Sequence, residues 1–353
     1  MPFDLKTHLS DLCDTPGPSG YEGPVRELVQ GVWSDLTDES YTDAMGSLVT
    51  IKRSTVVDGK ARTILLTAHV DEIGLMVTKL DGAFVRVTGI GGVDHRVLPG
   101  QLVTVHGERD LPGVVGSRPP HVTPVSERDK YVPLDELVID LGLSARQVAR
   151  LVSVGDVVSF DQSPVGLQGK LLTAKALDNR ASVAALTVCL EALQTRTHAW
   201  DVVAAATVQE EVTMGGGQTA AYHVQPDLAV VVDVTFGVGT DVSERDGFPL
   251  GEGPALGLGP NIHTKVFHRL RETARDMEMD HHVEPLPGYS GTEAVAVQVS
   301  REGIPTGLVS IPLRNMHTPV EIVSLEDVER TGRLLAEFVV GLNSHTLDEL
   351  RLD

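Results

Sequence analysis

The stretch DVVAAATVQEEVTMGGG, residues 201–217, joins an apolar run to two adjacent glutamates and three glycines. Residues 201–206 predict a buried β-strand, because a short continuous apolar run is typical of a strand that is covered on both faces. Glu210 and Glu211 follow at the end of this strand. Burying one unpaired carboxylate costs as much as the whole stability of a domain, so the pair needs either solvent or a cation. This segment alone leaves both interpretations open, since glutamates at strand ends are usually exposed.

The neighbouring segments predict an alternation of strands and helices. The strand-like run GKLLTAKAL, residues 169–177, is followed by a helical pattern over 180–194. The later predicted elements are a helix near 217–224, the strand DLAVVVDVT at 227–235, helices at 263–278 and 292–302, the strand TGLVSIP at 306–312, and a helix from Ser324 to about 342. Such alternation is typical of an α/β domain with a layered sheet.

The first half of the chain predicts a second, smaller domain. Residues 24–36 predict an amphipathic helix, and RTILLTAHV, residues 62–70, predicts a strand. From there to about 165 the pattern is one of short strands, with Asp81-Gly82 as a hairpin turn and Ser144 capping a short helix.

The length of the chain also favours two domains. At 353 residues it exceeds the roughly 250–300 at which a single core usually stops growing. We therefore predict an α/β domain formed by residues 1–72 and 166–353. A β-rich domain at 73–165 interrupts it. We find no internal repeat and no low-complexity tract in the sequence.

Composition and charge narrow the class of protein. The net charge of −20 argues against a nucleic-acid partner, because phosphate binding depends on Lys and Arg. No apolar run reaches the roughly 18 residues that span a bilayer, and the N-terminal residues lack the features of a signal peptide, so we expect no membrane partner. The two cysteines, Cys13 and Cys189, are too few for a disulfide framework. These features predict a cytoplasmic protein.

Histidine and acidic side chains stand at the ends of several predicted strands. In an open α/β sheet, ligands gather beyond the carboxyl ends of the strands, so these side chains are candidates for a site that binds two divalent cations. Taken singly, each histidine could instead be a hydrogen-bonded core or surface residue, and each aspartate a helix cap or turn former. Sequence order leaves these alternatives open. The candidates are His69, Asp71, Asp178, Glu210, Glu211, Asp233 and His317.

Five motifs make the chain resemble a known family. They are AHVDEIGLMV, ALDNRASVAAL, VQEEVTMGGGQTAA, VVVDVT and REGIPTGLVSIPLRNMHTPVEIVSLEDVE. In this order they resemble the tetrahedral aminopeptidases, which are dinuclear metallopeptidases of glutamyl- and leucyl-aminopeptidase type. The resemblance covers essentially the whole chain, including VPLDELVIDLG in the inserted segment. It implies an α/β, mixed-sheet dinuclear-metal exopeptidase domain with an inserted small β-rich domain.

The resemblance also implies a role for each candidate. Two divalent metal ions per chain are expected, and nitrogen and oxygen ligands do not distinguish Zn²⁺ from Co²⁺. The implied roles are His69 and Asp233 as ligands of one metal, Glu211 and His317 as ligands of the other, Asp178 as the shared ligand, Glu210 as general base, and Asp71 as the carboxylate that orients His69.

The chemistry of a two-metal site and the geometry of a strand are consistent with these implied roles. Two metals need a bridging anion, and a water between them becomes acidic enough for a nearby carboxylate to take its proton. If Glu210 and Glu211 lie on extended backbone, their side chains point to opposite sides, so that one can bind metal while the other faces the water. His69 and Asp71, two residues apart, can lie on the same side.

The implied activity is that of a metal-dependent aminopeptidase, which removes N-terminal residues from short peptides with a metal-bridging water as nucleophile. Three alternatives remain. One is a related dinuclear deacylase or carboxypeptidase, one is the endoglucanase label sometimes given to relatives, and one is a non-catalytic peptide-binding scaffold. The resemblance further implies a homo-oligomer, a dodecameric tetrahedron built from dimers, with residues 73–165 as the docking domain. A lid or substrate-shaping domain on a dimer is the alternative for that segment.

Three positions differ from the usual family pattern. Thr213–Gly217 stands where the family usually has a Gly-Leu-Arg-Gly-Ala-like run, Glu293 where it has aspartate, and Asn315-Met316 where an aromatic residue is common. None of these differences removes a candidate ligand. They leave the preferred N-terminal side chain open between apolar and acidic residues.

Overall fold

The structure of the protein is a computed structural model that describes residues 3–56, 60–127, 130–240 and 242–352. Positions 1 and 353, the outer limits of the predicted α/β domain, lie outside these residues. The helices are α1 Leu5–Asp14, α2 Gly23–Trp33, α3 Ala145–Leu151, α4 Leu177–Ala192, α5 Glu210–Thr213, α6 Gly215–Val224, α7 Thr264–Asp276, α8 Ala294–Gln298, α9 Leu325–Val340 and α10 Thr346–Leu350. The strands are β1 Glu39–Thr42, β2 Leu48–Lys52, β3 Thr63–His69, β4 Gly74–Asp81, β5 Phe84–Ile90, β6 Leu102–His106, β7 Asp110–Gly116, β8 Val138–Asp140, β9 Val157–Phe160, β10 Val165–Gly166, β11 Leu171–Ala174, β12 Asp201–Thr207, β13 Leu228–Phe236, β14 Ala255–Leu258, β15 His282–Pro285, β16 Thr306–Arg314 and β17 Glu321–Ser324.

A mixed sheet forms the centre of the larger domain. Its strand order is β1-β2-β12-β3-β13-β16-β17-β11-β10, and β14 joins β16 to β15. Strands β12, β3, β13 and β16 run parallel to one another, whereas β2 and β17 are antiparallel to their neighbours in this group. The carboxyl ends of the four parallel strands therefore meet at one edge of the sheet, where α/β proteins place their ligand sites.

Apolar packing on both faces explains why the central strands have continuous apolar sequences. Along β3, Ile64 and Leu66 belong to the core beneath α4 and α9, while Leu65 belongs to the opposite core beneath α6 and α8. Side chains on a strand alternate between faces, so a strand covered on both sides needs apolar residues at every position. The run Asp201–Thr207 shows the same alternation, which confirms the buried strand predicted there.

A closed barrel of six strands is inserted between β3 and the strand β10. Its order is β4-β5-β8-β7-β6-β9, and it packs around a separate apolar core that includes Leu75, Val103 and Val158. The predicted fold class, a mixed-sheet α/β domain with an inserted β-rich domain, is confirmed. The domain boundaries at 72/73 and 165/166 and the docking role of the insertion stay predictions.

Local predictions agree with the structure in most places. Asp81-Gly82 forms the hairpin turn, with Gly82 at a φ of 67°, and Ser144 caps α3. The helix predicted over 292–302 is wrong in extent, because α8 covers only Ala294–Gln298 and the backbone at Arg301 has a φ of 53° that a helix cannot continue. Within the described ranges, no helix combines the length and apolar character needed to cross a bilayer.

Candidate metal centre

The seven candidate residues converge at the carboxyl edge of the parallel strands. Their side chains come from five separate segments of the chain, and most of them are buried. His69 ends β3, Asp71 follows it, Asp178 lies at the start of α4, Glu210 and Glu211 begin α5 after β12, Asp233 lies in β13, and His317 follows β16.

Asp178 lies at the centre of this cluster. Its Oδ1 is 3.2 Å from Nε2 of His69, and its Oδ2 is 3.5 Å from Nε2 of His317. The ligand atoms of His69, Asp178 and Asp233 lie within 4.8 Å of one another, and so do those of Asp178, Glu211 and His317. One carboxylate therefore belongs to two adjacent groups of possible metal ligands. We call these the first locus (His69, Asp178, Asp233) and the second locus (Asp178, Glu211, His317).

Sheet register brings Asp233 to His69. Strands β3 and β13 are parallel, and Thr67 lies opposite Val231. His69 and Asp233 each follow two residues later on their own strand, so this register brings them side by side. The separation of Nε2 of His69 and Oδ1 of Asp233 is 3.9 Å. Both residues lie on the face of the sheet that α6 and α8 cover, because side chains two residues apart share a face.

The two glutamates do not lie on extended backbone as predicted. Gln209 has a φ of 58°, and Glu210 and Glu211 begin the single helical turn α5. On a helix, consecutive side chains point about 100° apart around the axis. The two carboxylates therefore still point in different directions, although they do not lie on opposite sides of an extended strand. Oε2 of Glu211 lies 3.5 Å from Nε2 of His317, whereas Oε2 of Glu210 lies 3.9 Å from Nε2 of His69.

Asp71 explains why the chain turns at this point. Its two carboxylate oxygens accept hydrogen bonds from the backbone N–H groups of Glu210 and Glu211, at 3.0 and 3.2 Å. The hydroxyl of Ser19 donates a third hydrogen bond to it at 2.6 Å. On the other side, Nδ1 of His69 lies 3.4 Å from Oδ1 of Asp71 and 3.2 Å from its backbone oxygen. These acceptors favour a proton on Nδ1 and leave Nε2 to face Asp178.

His317 is held by two contacts that the sequence analysis did not identify. Its Nδ1 lies 3.1 Å from the carbonyl oxygen of Gly92, a residue that follows the barrel strand β5. Its backbone N–H donates to Oε1 of Glu321 at 2.9 Å. A Cβ atom on Gly92 would lie only 2.7 Å from Nδ1 of His317, so glycine is needed for this approach. The two adjacent glycines after a predicted strand were the available signal.

The charges in this cluster strongly perturb one another. Burial raises the pKa of Glu210 to about 7 and, together with Asp178, raises that of Glu211 to about 8. Burial also raises the pKa of Asp233 well above its usual value. Hydrogen bonding to Asp178 raises the pKa of His317 to about 10. Burial alone would lower the pKa of His69, but Asp178 and Asp71 outweigh it and raise that pKa.

These shifts describe a site with an excess of buried negative charge. Buried carboxylates have raised pKa values when too little positive charge is near to stabilise their ionised form. In addition, Oε1 of Glu210 is buried without a hydrogen-bond partner in the described part of the chain. Imidazole nitrogens and carboxylate oxygens are ligands that suit divalent transition metals. The residues present therefore fit a pair of divalent cations that share one carboxylate.

Comparisons with known proteins point in the same direction. A model of the M42 glutamyl aminopeptidase family matches residues 46–334. The chain is 33% identical over 339 residues to a lysyl aminopeptidase of Pyrococcus furiosus, covering 92% of this chain and 94% of that protein.

Two solved structures have the same fold. One is a TET aminopeptidase from the marine sediment archaeon Thaumarchaeota archaeon SCGC AB-539-E09, with a TM-score of 0.90, 28% identity, and coverage of 98% of this chain and 99% of that one. The other is the Pyrococcus horikoshii TET1 peptidase, which can assemble into a tetrahedron or a large octahedral shell. Its TM-score is 0.82 at 29% identity, with coverage of 96% of this chain and 100% of that one.

Proposed function

This chain belongs to the M42 glutamyl aminopeptidase family and is a metal-dependent aminopeptidase, and from that premise we propose that its active centre is the cluster built around Asp178. The observation that carries the proposal is the position of this carboxylate, whose two oxygens face two different histidines at 3.2 and 3.5 Å. We assign one divalent cation to each locus, with Asp178 as the shared ligand.

The remaining residues of the cluster divide the chemistry between them. When bound, divalent cations in the two loci supply Lewis acidity, which polarises the scissile carbonyl and lowers the pKa of water. Glu210 is the general base, since its buried Oε1 is available to accept a proton from the attacking water. Glu210 then returns that proton to the leaving amine as the peptide C–N bond breaks. The carboxylate of Asp71 positions Glu210 by accepting a hydrogen bond from the backbone N–H of Glu210, and it positions His69 through a contact with Nδ1 of the imidazole.

We further propose that the substrates are short peptides with a free N-terminus. A cavity of about 590 Å³ adjoins the segment that carries His317, and its lining includes Phe236, Leu313, Met316 and Asn315. Asn315 is one of the positions that depart from the family pattern, and its place in this lining supports an effect on side-chain preference. The P. furiosus relative is named for lysine and the family for glutamate, so we leave the preferred residue open.

The departure at Glu293 lies behind the catalytic edge of the sheet. Glu293 is almost fully buried, and its Oε2 accepts a hydrogen bond from Thr207 at 2.9 Å. A Cβ atom at Gly217 would lie 2.4 Å from the same oxygen, so the two residues are in tight contact. Both are therefore placed to shape the region next to α5 without being ligands.

A panel of aminoacyl chromogenic substrates tests the activity. With added Zn²⁺ or Co²⁺, we expect release of the chromophore from leucyl, glutamyl or lysyl substrates and none from the same compounds acetylated on the α-amine. Chromophore release from the acetylated compounds would reject the requirement for a free N-terminus, whereas release of acetate with the chromophore still attached would support the deacylase alternative. No turnover of any compound with metal present would support the non-catalytic scaffold.

We propose that the protein is a homo-oligomer, with the twelve-subunit tetrahedron as the assembled state and the barrel as the docking domain. The assemblies of the P. horikoshii TET1 peptidase support this, as do exposed apolar side chains on the barrel such as Leu102 and Val114. Light scattering should give twelve times the chain mass of 37.8 kDa. A monomer would reject the assembly, whereas a dimer would reject only the tetrahedron.

Two further properties belong to the proposal. We propose Zn²⁺ or Co²⁺ as the bound metal, because both accept the nitrogen and oxygen ligands of the two loci. We propose the cytoplasm as the location, and the two buried, unpaired cysteines Cys13 and Cys189 support a reducing compartment. Elemental analysis of the protein purified from its natural source would identify the metal.

A further inference from the structure

A single buried carboxylate links two segments of the proposed active centre. Glu321 is the first residue of β17 and is 2% exposed. Its Oε2 accepts a hydrogen bond from the backbone N–H of Asp178, and its Oε1 accepts one from the backbone N–H of His317, each at 2.9 Å. One side chain thus fixes the backbone of the shared ligand and that of a ligand of the second locus.

The backbone that Glu321 holds is conformationally unusual. His317 has a φ of 61° and Asn315 has a φ of 57°. Left-handed conformations of residues other than glycine cost on the order of 1 kcal/mol or more, and persist where surrounding contacts hold them. On the other segment, Ala176 has a φ of 57°, two residues before Asp178. Glu321 therefore holds two segments that would each relax without an anchor.

The first locus has other supports. His69 ends the buried strand β3 and is oriented by Asp71, while Asp233 lies within β13. Neither residue is hydrogen-bonded to Glu321 in the described chain. By contrast, Glu321 holds the backbone of two residues of the second locus, Asp178 and His317, whereas of the first locus it holds only the shared Asp178.

We propose that Glu321 is a positioning residue, which holds Asp178 and His317 at the spacing that a divalent cation in the second locus requires. The proposal rests on the metal centre proposed above and goes beyond it, because Glu321 is not a ligand. It acts only through the two residues whose backbones it holds, in the way that outer hydrogen bonds tune metal ligands elsewhere.

The test compares Glu321→Gln with a matched control, Asp327→Asn. Asp327 is also a buried carboxylate that accepts two backbone N–H bonds, from Gly251 and Gly253 at 2.6 and 2.8 Å. It is not one of the candidate ligands and holds none of them. Each substitution replaces one accepting oxygen with an amide NH₂ group, so in each variant one backbone N–H loses its acceptor.

The measurement is a calorimetric titration of Zn²⁺ into chelator-stripped wild type and variants, with His317→Ala as a reference for the second locus. We expect Glu321→Gln to weaken the binding step that His317→Ala weakens by about 10–100-fold, and to weaken the other step less, because the first locus shares only Asp178 with the groups that Glu321 holds. The double variant should lose less affinity in that step than the two single losses added together, because both changes act on His317. Asp327→Asn should keep both steps even where it lowers the thermal midpoint.

Three outcomes would overturn the proposal. They are unchanged zinc binding in folded Glu321→Gln, equal weakening of both steps, and an equal loss in Asp327→Asn. If Glu321→Gln does not fold, Glu321→Asp keeps the charge but shortens the reach by one methylene, and it must weaken the same step or the proposal fails. A wild-type protein that binds no divalent ion would reject the metal centre itself and is thus distinguishable from failure of Glu321 alone.

Discussion

The carbonyl oxygen of Gly92 lies 3.1 Å from Nδ1 of His317, and this contact joins the inserted barrel to the edge of the main sheet that carries the proposed metal centre. Gly92 follows β5, whereas His317 follows β16. A carbonyl can only accept, so the contact favours a proton on Nδ1 of His317 and leaves Nε2 unprotonated, as its proposed role as a metal ligand requires. The barrel therefore contributes to the proposed metal centre although it carries no ligand.

Replacing Gly92 with alanine tests this link. The added Cβ would lie 2.7 Å from Nδ1 of His317, so the imidazole must move. We expect zinc affinity to fall by about 10–100-fold in a titration of the stripped protein. Gly116→Ala, also in the barrel, is the control, since its Cβ would meet only ordinary contacts at 3.9 Å. Equal zinc affinity in both variants would contradict a role of Gly92 in orienting His317.

Single substitutions should distinguish the roles of the two adjacent glutamates, Glu210 and Glu211. We expect Glu210→Gln to retain metal and to lower kcat by about 10²–10⁴, the usual contribution of a general base. Glu211→Gln should lower metal retention, because Glu211 is proposed as a ligand of the second locus. Elemental analysis after gel filtration and steady-state kinetics distinguish the two. Equal metal loss in both variants would show that the roles are misassigned.

Of the proposed ligands, only Asp178 should be needed to retain both cations. We expect elemental analysis to find up to two divalent ions per wild-type chain, and chelation to abolish hydrolysis. Asp178→Asn should lose both ions, since its two oxygens face the two loci, whereas His317→Ala should lose one. An active, chelator-resistant preparation without metal would reject the site.

Stability should depend on pH through a histidine that lies away from the metal centre. His8 is buried, its Nε2 lies 3.1 Å from the hydroxyl of Thr187, and burial lowers its pKa to about 4 from a usual 6.5. Between these values the unfolded state binds a proton that the folded state excludes. The free energy of unfolding therefore falls as pH falls through this window, by up to about 3 kcal/mol.

The measurement for His8 is the thermal midpoint at pH 6.5 and pH 4.5. His8→Gln keeps a hydrogen-bonding amide but cannot be protonated, so we expect it to lose a few degrees less than wild type over this interval. The carboxylates of the metal centre titrate in both wild type and His8→Gln, so the difference between the two changes in thermal midpoint reports on His8. An identical loss in wild type and variant would refute the assignment.

Sequence patterns predicted the strands of the sheet from their continuous apolar runs, and the candidate residues from their residue types at the strand ends. The apolar run at 201–206 predicted a strand covered on both faces, and β12 has that environment. The helical turn at Glu210 was not predictable in the same way. It depends on backbone hydrogen bonds to Asp71, a residue far away in the sequence.

The contacts of Gly92 and Glu321 were also beyond the sequence analysis. Both contacts involve backbone groups: the carbonyl of Gly92 faces His317, and the side-chain carboxylate of Glu321 accepts hydrogen bonds from two backbone N–H groups. Residue type and spacing predict which side chains can bind a metal, but they do not show which backbone atoms approach one another. Such positioning contacts appear only when the segments are placed in three dimensions.

The contact between Gly217 and Glu293 couples two of the positions at which this chain differs from the family pattern. That pattern has alanine and aspartate where this chain has glycine and glutamate. Alanine at 217 would place its methyl group 2.4 Å from Oε2 and 3.0 Å from Cβ of a buried Glu293 that cannot swing away. Alanine at 217 and glutamate at 293 therefore do not fit together in this geometry. The two positions are therefore sterically coupled, and an engineer who restores either residue should restore the aspartate first.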